Sequence, residues 1–356
     1  MTDSPRPVLE VRGLTTRFHT RSGIVHAVNG VSWTLHEGRS LALVGESGSG
    51  KTVSALSLLG LVPHPGRIEG GRVILNGRDL LDLSPKGWQG VRGREIAMVF
   101  QDPMTSLNPV LTVGRQLAEP MRRHLGMSRR AAADEAVALL ARVGIPDARD
   151  RLGDHPHEFS GGQRQRIVIA MALACRPAVL VADEPTTALD VTIQAQILAL
   201  IRELQAQLGM AILWITHDLA LVAGLVDRVA VMYGGTIVEE ADVDALYARP
   251  RHPYTRGLLA SLPDPETGGR LKVIEGRPPD LVGAPTGCPF APRCPWAADR
   301  CHAEVPPLRP VAAGHASACW RQGDVDAEPR SSASASTGDG RVPGRRDDVP
   351  TPDDPS

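Results

Sequence analysis

The sequence predicts an α/β fold organised around a phosphate-binding loop, and three observations lead to this prediction. Residues 45–52 read GESGSGKT, which fits the pattern G-x-x-x-x-G-K-[ST] without a gap. A short apolar run at residues 41–44 precedes the loop and a helix-compatible segment at 52–61 follows it, as this pattern requires. Later in the chain, short apolar runs end in polar or acidic residues, as buried strands of a parallel sheet do.

The residues of this loop have clear uses in binding a nucleotide. Glycines let backbone N–H groups converge on an anion, and the N-terminus of the following helix adds a favourable dipole. Lys51 can reach the β- and γ-phosphates, and the hydroxyl of Thr52 can ligate Mg²⁺. A glycine-rich turn that binds nothing does not account for these two side chains. We therefore predict an ATP and Mg²⁺ site at Gly45, Glu46, Ser47, Gly48, Ser49, Gly50, Lys51 and Thr52.

Length, charge and hydropathy exclude several classes of protein. A chain of 356 residues can hold one large or two ordinary domains. The net charge of −1 gives no global basic field for nucleic acid or anionic lipid. Residues 1–7 lack the apolar core of a signal peptide, and the longest apolar run, 167–175, is too short to span a bilayer. We expect a cytosolic protein, at most bound to a membrane protein.

The segment before the phosphate loop predicts a β-rich edge. Residues 8–18, 24–28 and 31–35 each have strand character, and a polar turn separates the first two. Phe18 is a candidate to stack on the base of a bound nucleotide. Ordinary sheet packing explains Phe18 equally well, because stacking platforms and core aromatics look alike in sequence.

The middle of the chain predicts a helical subdomain at about residues 102–165. The short strand 95–100 leads into Gln101, whose side chain can ligate a metal or a water molecule. Residues 118–124 and 128–143 predict helices, and the alanines of the second favour this conformation.

A second anion site is predicted at the start of a later helix. Ser160 occupies the position of an N-cap, and the N–H groups that follow it are exposed at the helix N-terminus. The predicted helix then runs to residue 175. The residues concerned are Ser160, Gly161, Gly162 and Gln163.

Groups suited to phosphate chemistry follow two further predicted strands. Asp183 and Glu184 come directly after the strand 178–182, and acidic residues at such a carboxyl edge suit Mg²⁺ and water chemistry. His217 comes directly after the strand 211–216. Solvated edge charges and a structural histidine are the ordinary explanations, but the preceding phosphate loop favours a catalytic site.

These motifs and their order resemble the ATPases of ATP-binding cassette (ABC) transporters over about residues 8–260. The resemblance implies an ABC-type P-loop NTPase fold with a β-rich edge and a helical subdomain. Residues 160–163 resemble the family's signature sequence, with Phe159 where leucine is usual. The resemblance further implies a glutamine loop at Gln101, Mg²⁺ organisation by Asp183, a general base at Glu184, a dimer-contact loop ending at Asp190, and a switch histidine at His217.

Three stretches resemble the dipeptide and oligopeptide importer ATPases more narrowly. They are the phosphate loop, residues 183–190, and the sequence HPYT at 252–255. The cysteine-containing tail, residues 287–320, also resembles this group. The chain looks like the first of the two ATPases that such importers use, the OppD/DppD type.

The resemblance implies a mechanism and a set of partners. Two cassettes would pair head to tail with ATP between them, so that the phosphate loop of one faces the signature of the other. The expected partners are a second ATPase subunit, favoured to be a paralogue over a second copy, two membrane permease subunits that contact the helical segment after Gln101, and an extracytoplasmic solute-binding protein. The protein would lie peripherally at the cytoplasmic face of the inner or plasma membrane. Peptides are the expected cargo, and nickel, glutathione or sugars are alternatives within the same subfamily.

A soluble ABC ATPase of DNA repair or translation is the alternative from another functional class. Such proteins usually carry two cassettes in one chain, whereas this sequence has one phosphate loop and one signature. It also lacks a basic stripe with interleaved aromatic residues, so no nucleic-acid partner is expected.

The segment 263–321 predicts a small cysteine-rich, metal-binding C-terminal domain. Its four cysteines are separated by five, six and seventeen residues, and in a cytosolic chain such a set favours a metal centre over disulfides. The spacing lacks the paired C-x₂-C of structural zinc sites. Tetrathiolate ligation suits a [4Fe–4S] cluster, which the resembling importer ATPases carry; zinc, disulfides and free thiols stay open as alternatives. The predicted ligands are Cys288, Cys294, Cys301 and Cys319.

The domain boundaries follow from these patterns. Residues 1–262 form the predicted ATPase domain and 263–321 the cysteine-rich domain. Residues 322–356 nearly lack large apolar side chains, so we predict a disordered tail.

Overall fold

The computed structural model describes residues 6–187, 189–262 and 273–323, and it confirms the α/β class. Twelve strands lie in two sheets within these residues. The strands are β1 (Pro7–Thr20), β2 (Gly23–His36), β3 (Ser40–Val44), β4 (Gly66–Leu75), β5 (Arg78–Asp79), β6 (Ile96–Val99), β7 (Val179–Asp183), β8 (Ala211–Thr216), β9 (Arg228–Tyr233), β10 (Thr236–Asp242), β11 (Arg309–Ala312) and β12 (His315–Ser317). The helices are α1 (Lys51–Leu58), α2 (Pro85–Val91), α3 (Pro103–Ser106), α4 (Val113–Leu125), α5 (Arg129–Arg142), α6 (Gly161–Leu173), α7 (Val191–Leu208), α8 (Leu219–Val222), α9 (Val243–Ala248), α10 (Pro253–Ala260) and α11 (Asp299–Ala303).

The central sheet has eight strands in the order β11-β12-β10-β9-β3-β8-β7-β6. The five strands from β9 to β6 are parallel, and β3, β7 and β8 are apolar and almost wholly buried. Parallel strands bury both faces and end at a common edge, where ligands of such sheets bind. The phosphate loop follows β3, and the predicted catalytic groups follow β6, β7 and β8, so the topology brings them to one edge.

The predicted β-rich edge is a four-stranded antiparallel sheet in the order β2-β1-β4-β5. The sequence predicts two strands at 24–28 and 31–35, but the structure has the single strand β2. Gly30 lies inside it with a φ of +66°, and the β1–β2 register shifts between Leu14 and Thr16. A bulge of this kind bends a pair of strands without ending their hydrogen bonding. The prediction of a strand boundary near Gly30 was therefore wrong.

The helical segment consists of α3, α4 and α5, followed by 3₁₀ turns at Asp150–Gly153 and Pro156–Glu158. Thr112 and Ser128 cap α4 and α5 by accepting hydrogen bonds from backbone N–H groups in the first turn. Leu117 and Met121 of α4 are buried in the same hydrophobic core as Leu140 of α5. The helices predicted at 118–124 and 128–143 are thus present, the first beginning five residues earlier.

The described part of the C-terminal segment extends the central sheet. Strand β12 pairs antiparallel with β10, with Glu239 opposite Ser317. The carboxylate of Glu239 is fully buried; it accepts hydrogen bonds from the backbone N–H groups of Arg251 and His252 and bonds to Nε2 of His315. The sequence did not predict α10, β11 or β12. The predicted boundary at 262–263 and nearly all of the predicted tail lie outside the described residues.

None of the helices in the described ranges is long and apolar enough to cross a membrane.

Candidate nucleotide site

The phosphate loop lies between β3 and α1 and encloses the side chain of Lys51. Nζ of Lys51 donates hydrogen bonds to the carbonyl oxygens of Gly45 at 2.7 Å and Glu46 at 2.9 Å. Burial lowers the pKa of Lys51, while the carboxylates of Glu184, Asp183 and Glu46 act in the opposite direction. The ammonium is thus held at the base of the loop by two carbonyl groups that a phosphate can replace.

Two glycines let the loop lie against neighbouring strands. A Cβ atom on Gly45 would lie 2.1 Å from the carbonyl oxygen of Met232, and one on Gly50 would lie 2.2 Å from that of Ala27. Gly50 also has a φ of +100°, which side chains other than glycine rarely adopt. The hydroxyl of Ser49 is buried without a hydrogen-bond partner, which leaves a donor for an anion.

Asp183 and Thr52 form the candidate Mg²⁺ site. The hydroxyl of Thr52 donates to Oδ1 of Asp183 at 3.4 Å, so the two oxygen groups lie together beneath the loop. Asp183 is only 3% exposed, and burial raises its pKa to about 6, while the hydrogen bond from Thr52 acts in the opposite direction. Carboxylate and hydroxyl oxygens are ligands that Mg²⁺ prefers.

Glu184 is the centre of a hydrogen-bonded group at the end of β7. One carboxylate oxygen lies 3.0 Å from Nδ1 of His217, and the other accepts from Nε2 of Gln101 at 3.1 Å and from the hydroxyl of Thr187 at 2.9 Å. Burial acts to raise the pKa of Glu184, but hydrogen bonds from His217 and Thr187 outweigh it, so the pKa lies below its usual value. The group is therefore a carboxylate at neutral pH and can accept a proton.

The backbone of Glu184 is strained. Its φ is +45°, in the left-handed region, and its N–H donates to the carbonyl of Ile215 at 2.9 Å. Non-glycine residues hold this conformation only where the surroundings impose it, and such residues cluster at functional sites.

Gln101 bonds to Glu184 in this structure, and its ligation of Mg²⁺ stays a prediction. Phe18 is half-buried in the N-terminal sheet, opposite Val25 and Gly66. A Cβ atom on Gly66 would lie 2.7 Å from its ring, which shows sheet packing, and stacking on a base also stays a prediction.

The signature residues, 160–163, form the exposed N-terminus of α6. The hydroxyl of Ser160 accepts from the N–H of Gln163, and the side-chain oxygen of Gln163 accepts from the N–H of Ser160. Phe159 is buried, with the guanidinium of Arg151 4.2 Å from the centre of its ring. Within the described chain, no hydrogen bond or ion pair joins residues 160–163 to the phosphate loop.

Asp190 caps α7 and accepts from the N–H of Ile193 at 2.9 Å. The next residue, Val191, is 82% exposed. Ala188, in the same predicted dimer-contact loop, lies outside the described residues.

Two residues that touch the phosphate loop were missed by sequence reasoning. The N–H of Glu46 donates to the hydroxyl of Tyr254 at 2.8 Å, and the carboxylate of Glu46 pairs with the guanidinium of Arg293. Both partners lie more than 200 positions further along the chain, so no local pattern could reveal the contacts. Tyr254 belongs to the HPYT stretch, which was the one available signal.

The predicted metal centre is not supported. The four cysteines do line one pocket, together with His252, but its volume of about 10 Å³ has room for about one water molecule. In the described ranges, no group of three or more His, Cys, Asp or Glu side chains is arranged to hold a metal ion. Burial raises the pKa of Cys294 to about 12 and that of Cys319 to about 11, so both thiols are neutral when no metal is bound.

Comparison with known proteins agrees with the geometry of the nucleotide site. Residues 28–187 match the ABC transporter family, and residues 238–301 match the C-terminal region of oligopeptide/dipeptide transporters. A putative peptide import ATP-binding protein of Brucella melitensis is 51% identical over 337 residues, 91% of this chain and all of that protein. The dipeptide transport ATP-binding protein DppD of Bacillus subtilis is 50% identical over 317 residues, 88% of this chain and 95% of that protein.

Solved structures show the same fold. A dimeric bacterial ABC transporter cassette matches with a TM-score of 0.59 and 26% identity, over 66% of this chain and 98% of that one. The cassette cbiO1 of Clostridium perfringens, part of an ABC transporter complex, matches with a TM-score of 0.59 and 27% identity, over 68% and 91% of the two chains. The chain therefore belongs to the ABC transporter ATPases, and within them to the ATP-binding subunits of oligopeptide and dipeptide importers.

Proposed function

We propose that this chain hydrolyses ATP to power the uptake of peptides through separate membrane permease subunits. The observation that carries the proposal is the carboxylate of Glu184, ionised and hydrogen-bonded to both Gln101 and His217 at the sheet edge that bears the phosphate loop. Identity of about half to peptide import ATP-binding proteins over nearly the whole chain supports peptides as cargo.

Each residue of the site has a proposed role in the binding or hydrolysis of ATP. Lys51 leaves the carbonyls of Gly45 and Glu46 and binds the phosphates. Asp183 and Thr52 would hold Mg²⁺, which would supply positive charge beside the phosphate oxygens. Glu184 accepts a proton from the attacking water as the water oxygen bonds to the γ-phosphorus and the bond to ADP breaks.

The residues around Glu184 position it for this step. His217 and Gln101 orient the carboxylate, and His217 also contacts the γ-phosphate. No hydrogen bond or ion pair joins the signature to the phosphate loop within the described residues, and the second anion site is supplied by another cassette. We propose a paralogous ATPase chain as that cassette.

The proposed permease contact is an apolar groove beside the helical segment. It has a volume of about 530 Å³, and Leu61 and Phe100 in its wall are 39% and 38% exposed. A groove lined by exposed apolar side chains supports a contact with a partner at this place. A permease there would hold the chain peripherally at the cytoplasmic face of the membrane, and an extracytoplasmic binding protein would deliver the peptide.

The test uses the assembled transporter in proteoliposomes with its peptide-loaded binding protein. Glu184→Gln should bind ATP with parental affinity and lose hydrolysis by about 100-fold or more, because only the proton acceptor is removed. Glu203→Gln, an exposed glutamate on α7, is the matched control and should keep the parental rate. Hydrolysis at the parental rate in Glu184→Gln would remove the general-base role, and stimulation by nucleic acid instead of peptide would favour the repair or translation class.

We also propose that the four C-terminal cysteines ligate a structural [4Fe–4S] cluster. The convergence of four thiols on one pocket supports this ligand set, although the pocket must expand to hold a cluster. Anaerobically purified protein should be brown with broad absorption near 400 nm, and Cys294→Ser should bleach it while sparing ATP binding. Colourless anaerobic protein with one equivalent of zinc would replace the iron–sulfur assignment by zinc, and metal-free protein would leave free thiols.

A further inference from the structure

The phosphate loop is held from outside by the C-terminal segment. Arg293 donates from Nη1 to Oε2 of Glu46 at 2.6 Å and from Nη2 to Oε1 at 3.0 Å, so the pair is bidentate. The side chain of Arg293 is only 5% exposed and that of Glu46 is 25% exposed. Charge-assisted, bidentate contacts of this kind are among the strongest hydrogen bonds in proteins, and they fix orientation as well as distance.

Arg293 is itself fixed by other contacts. Its Nε donates to the carbonyl of Glu275 at 2.9 Å, and Nη2 also donates to the carbonyl of Ile274 at 3.1 Å. Nη1 also donates to the hydroxyl of Tyr233 at 3.1 Å. The guanidinium therefore reaches Glu46 from a position defined by the C-terminal segment and by β9.

All three polar groups of Glu46 are engaged at once. Its N–H donates to Tyr254, its carbonyl accepts from Nζ of Lys51, and its carboxylate accepts from Arg293. The carbonyl of Glu46 is thus one of the two groups that hold the lysine before phosphate arrives. A displacement of Glu46 would move the lysine that binds the β- and γ-phosphates.

The charge of Glu46 gives a second reason for the contact. A carboxylate inside an anion-binding loop repels phosphate unless a cation neutralises it. Lys51 faces the carbonyl groups of the loop, and Arg293 is the cation that pairs with this carboxylate within the described residues. Without Arg293, the loop would carry an uncompensated negative charge beside the nucleotide.

We infer that Arg293 is a positioning residue for ATP binding: through Glu46 it fixes the phosphate loop, and it makes nucleotide affinity depend on the fold of the C-terminal segment. The segment that carries the four cysteines is thereby coupled to the ATP site through the side chain of Arg293. The inference rests on ATP binding by the phosphate loop and is independent of the cargo.

The test measures the dissociation constant for MgATP by calorimetry on the purified full-length chain. Arg293→Met should weaken binding by about tenfold or more, since the partly buried carboxylate of Glu46 loses its partner and repels phosphate. The double variant Glu46→Gln/Arg293→Met should bind MgATP more tightly than Arg293→Met, because no unpaired charge remains, and more weakly than the parent, because the loop has lost the contact that fixes it. Arg277→Met, an exposed arginine in the same segment, is the matched control and should bind as the parent does.

A second measurement separates positioning from general stability. Hydrogen exchange of the amides in residues 45–52 should be faster in Arg293→Met than in the parent, whereas a purely local effect on the C-terminal segment would leave these amides unchanged. If Arg293→Met does not fold, Arg293→Lys replaces it in the test. This variant should weaken binding by about threefold, because lysine keeps the positive charge but cannot make the bidentate contact.

Three outcomes are decisive. Parental affinity in a folded Arg293→Met or Arg293→Lys chain would overturn the inference, as would a double variant that binds MgATP no better than Arg293→Met. Failure of the parental chain to bind MgATP would overturn the proposed function instead, so the two failures are distinguishable.

Discussion

At the scale of a single residue, the burial of Asp183 and its proposed binding of Mg²⁺ favour opposite protonation states. Its pKa is raised to about 6 by burial, so the fold favours the neutral acid while Mg²⁺ needs the carboxylate. A carboxyl group with a raised pKa stabilises the fold fully at acid pH, and this contribution is lost as the pH rises from about 4 through 6. At neutral pH the ligand-free protein therefore holds a buried charge that binding of Mg²⁺ compensates.

We predict that Asp183→Asn stabilises the ligand-free protein at pH 7.5. The shift of about two pH units corresponds to at most about 3 kcal/mol, so a gain of about 1–3 kcal/mol in the free energy of unfolding is expected. Denaturant unfolding at pH 7.5 and pH 4.5 measures it. The gain should fall to about a third of this value at the lower pH, because the unfolded chain still ionises there, and an equal gain at both values would contradict the titration of Asp183.

The same residue sets the pH dependence of metal binding. Below pH 6 a proton competes with Mg²⁺ for Asp183, so the Mg²⁺ concentration for half-maximal ATP binding should rise by up to about tenfold per pH unit. Titrations between pH 5 and 8 measure this. ATP also titrates in this range, so the comparison is with Asp183→Asn, whose curve should lack the contribution of the carboxyl group. Identical Mg²⁺ titration curves for the parent and Asp183→Asn would rule out a contribution of the Asp183 carboxyl group to the pH dependence.

Sequence patterns reveal residues that act through local motifs and miss those that act across the chain. Lys51, Thr52 and Ser160 were predicted because loop and helix geometry fixes their spacing to neighbouring groups. Arg293 was not, because an arginine followed by a cysteine has no local pattern that indicates a partner 247 positions away. Only the tertiary fold brings such a pair together.

At the scale of elements, the ends of four adjacent parallel strands account for the nucleotide site. Each strand is short and buried and delivers at least one group to the same edge, so the apolar runs and the polar residues after them were readable in sequence. Strands β11 and β12 were not, since β12 has three residues and β11 has three exposed residues, one of them a proline. Their pairing depends on the edge of β10, which lies far away in the chain.

Attachment of β12 depends on the buried hydrogen bond between His315 and Glu239. The two side chains are 4% and 0% exposed, and Nε2 of His315 lies 2.7 Å from the carboxylate. We predict that His315→Ala lowers the free energy of unfolding by about 2 kcal/mol, because a buried hydrogen bond to a carboxylate is lost. Thermal unfolding together with hydrogen exchange of the β12 amides measures the effect.

The matched control is His302→Ala, since His302 is exposed in the same segment. It should change stability by less than about 0.5 kcal/mol. Equal effects of the two substitutions, or unchanged exchange in β12 of His315→Ala, would mean that the hydrogen bond does not hold the strand in place.

At the scale of the whole molecule, the order of the motifs was enough to predict the cassette fold, because each motif requires its own strand or helix. The attachment of the C-terminal segment to the phosphate loop was beyond such reasoning. The spacing of the cysteines was weaker evidence for a metal centre. A sequence shows how many thiols are available but not the volume of the pocket that they line.

The phosphate loop and the signature residues at the N-terminus of α6 are the two predicted anion sites of this chain. No hydrogen bond or ion pair joins them within the described residues, and the exposed Val191 follows Asp190 at the start of α7. Val191 directly follows the predicted dimer-contact loop, so we expect another cassette to cover it. We expect that cassette to be a different chain, as the resemblance to importers with two different ATPases implies.

We therefore predict that this chain alone is mostly monomeric, with weak ATPase activity, and that it pairs with its paralogous cassette when ATP is bound. With ATP, light scattering of the Glu184→Gln variant by itself should give the mass of one chain. A mixture of this variant with the paralogous cassette should give the mass of two chains, since blocked hydrolysis preserves the closed state. Val191→Asp should prevent pairing because a charge would be buried at the contact, whereas Val110→Asp, at a valine 77% exposed, should not. A tight homodimer that forms without ATP would contradict this division of the two sites between different chains.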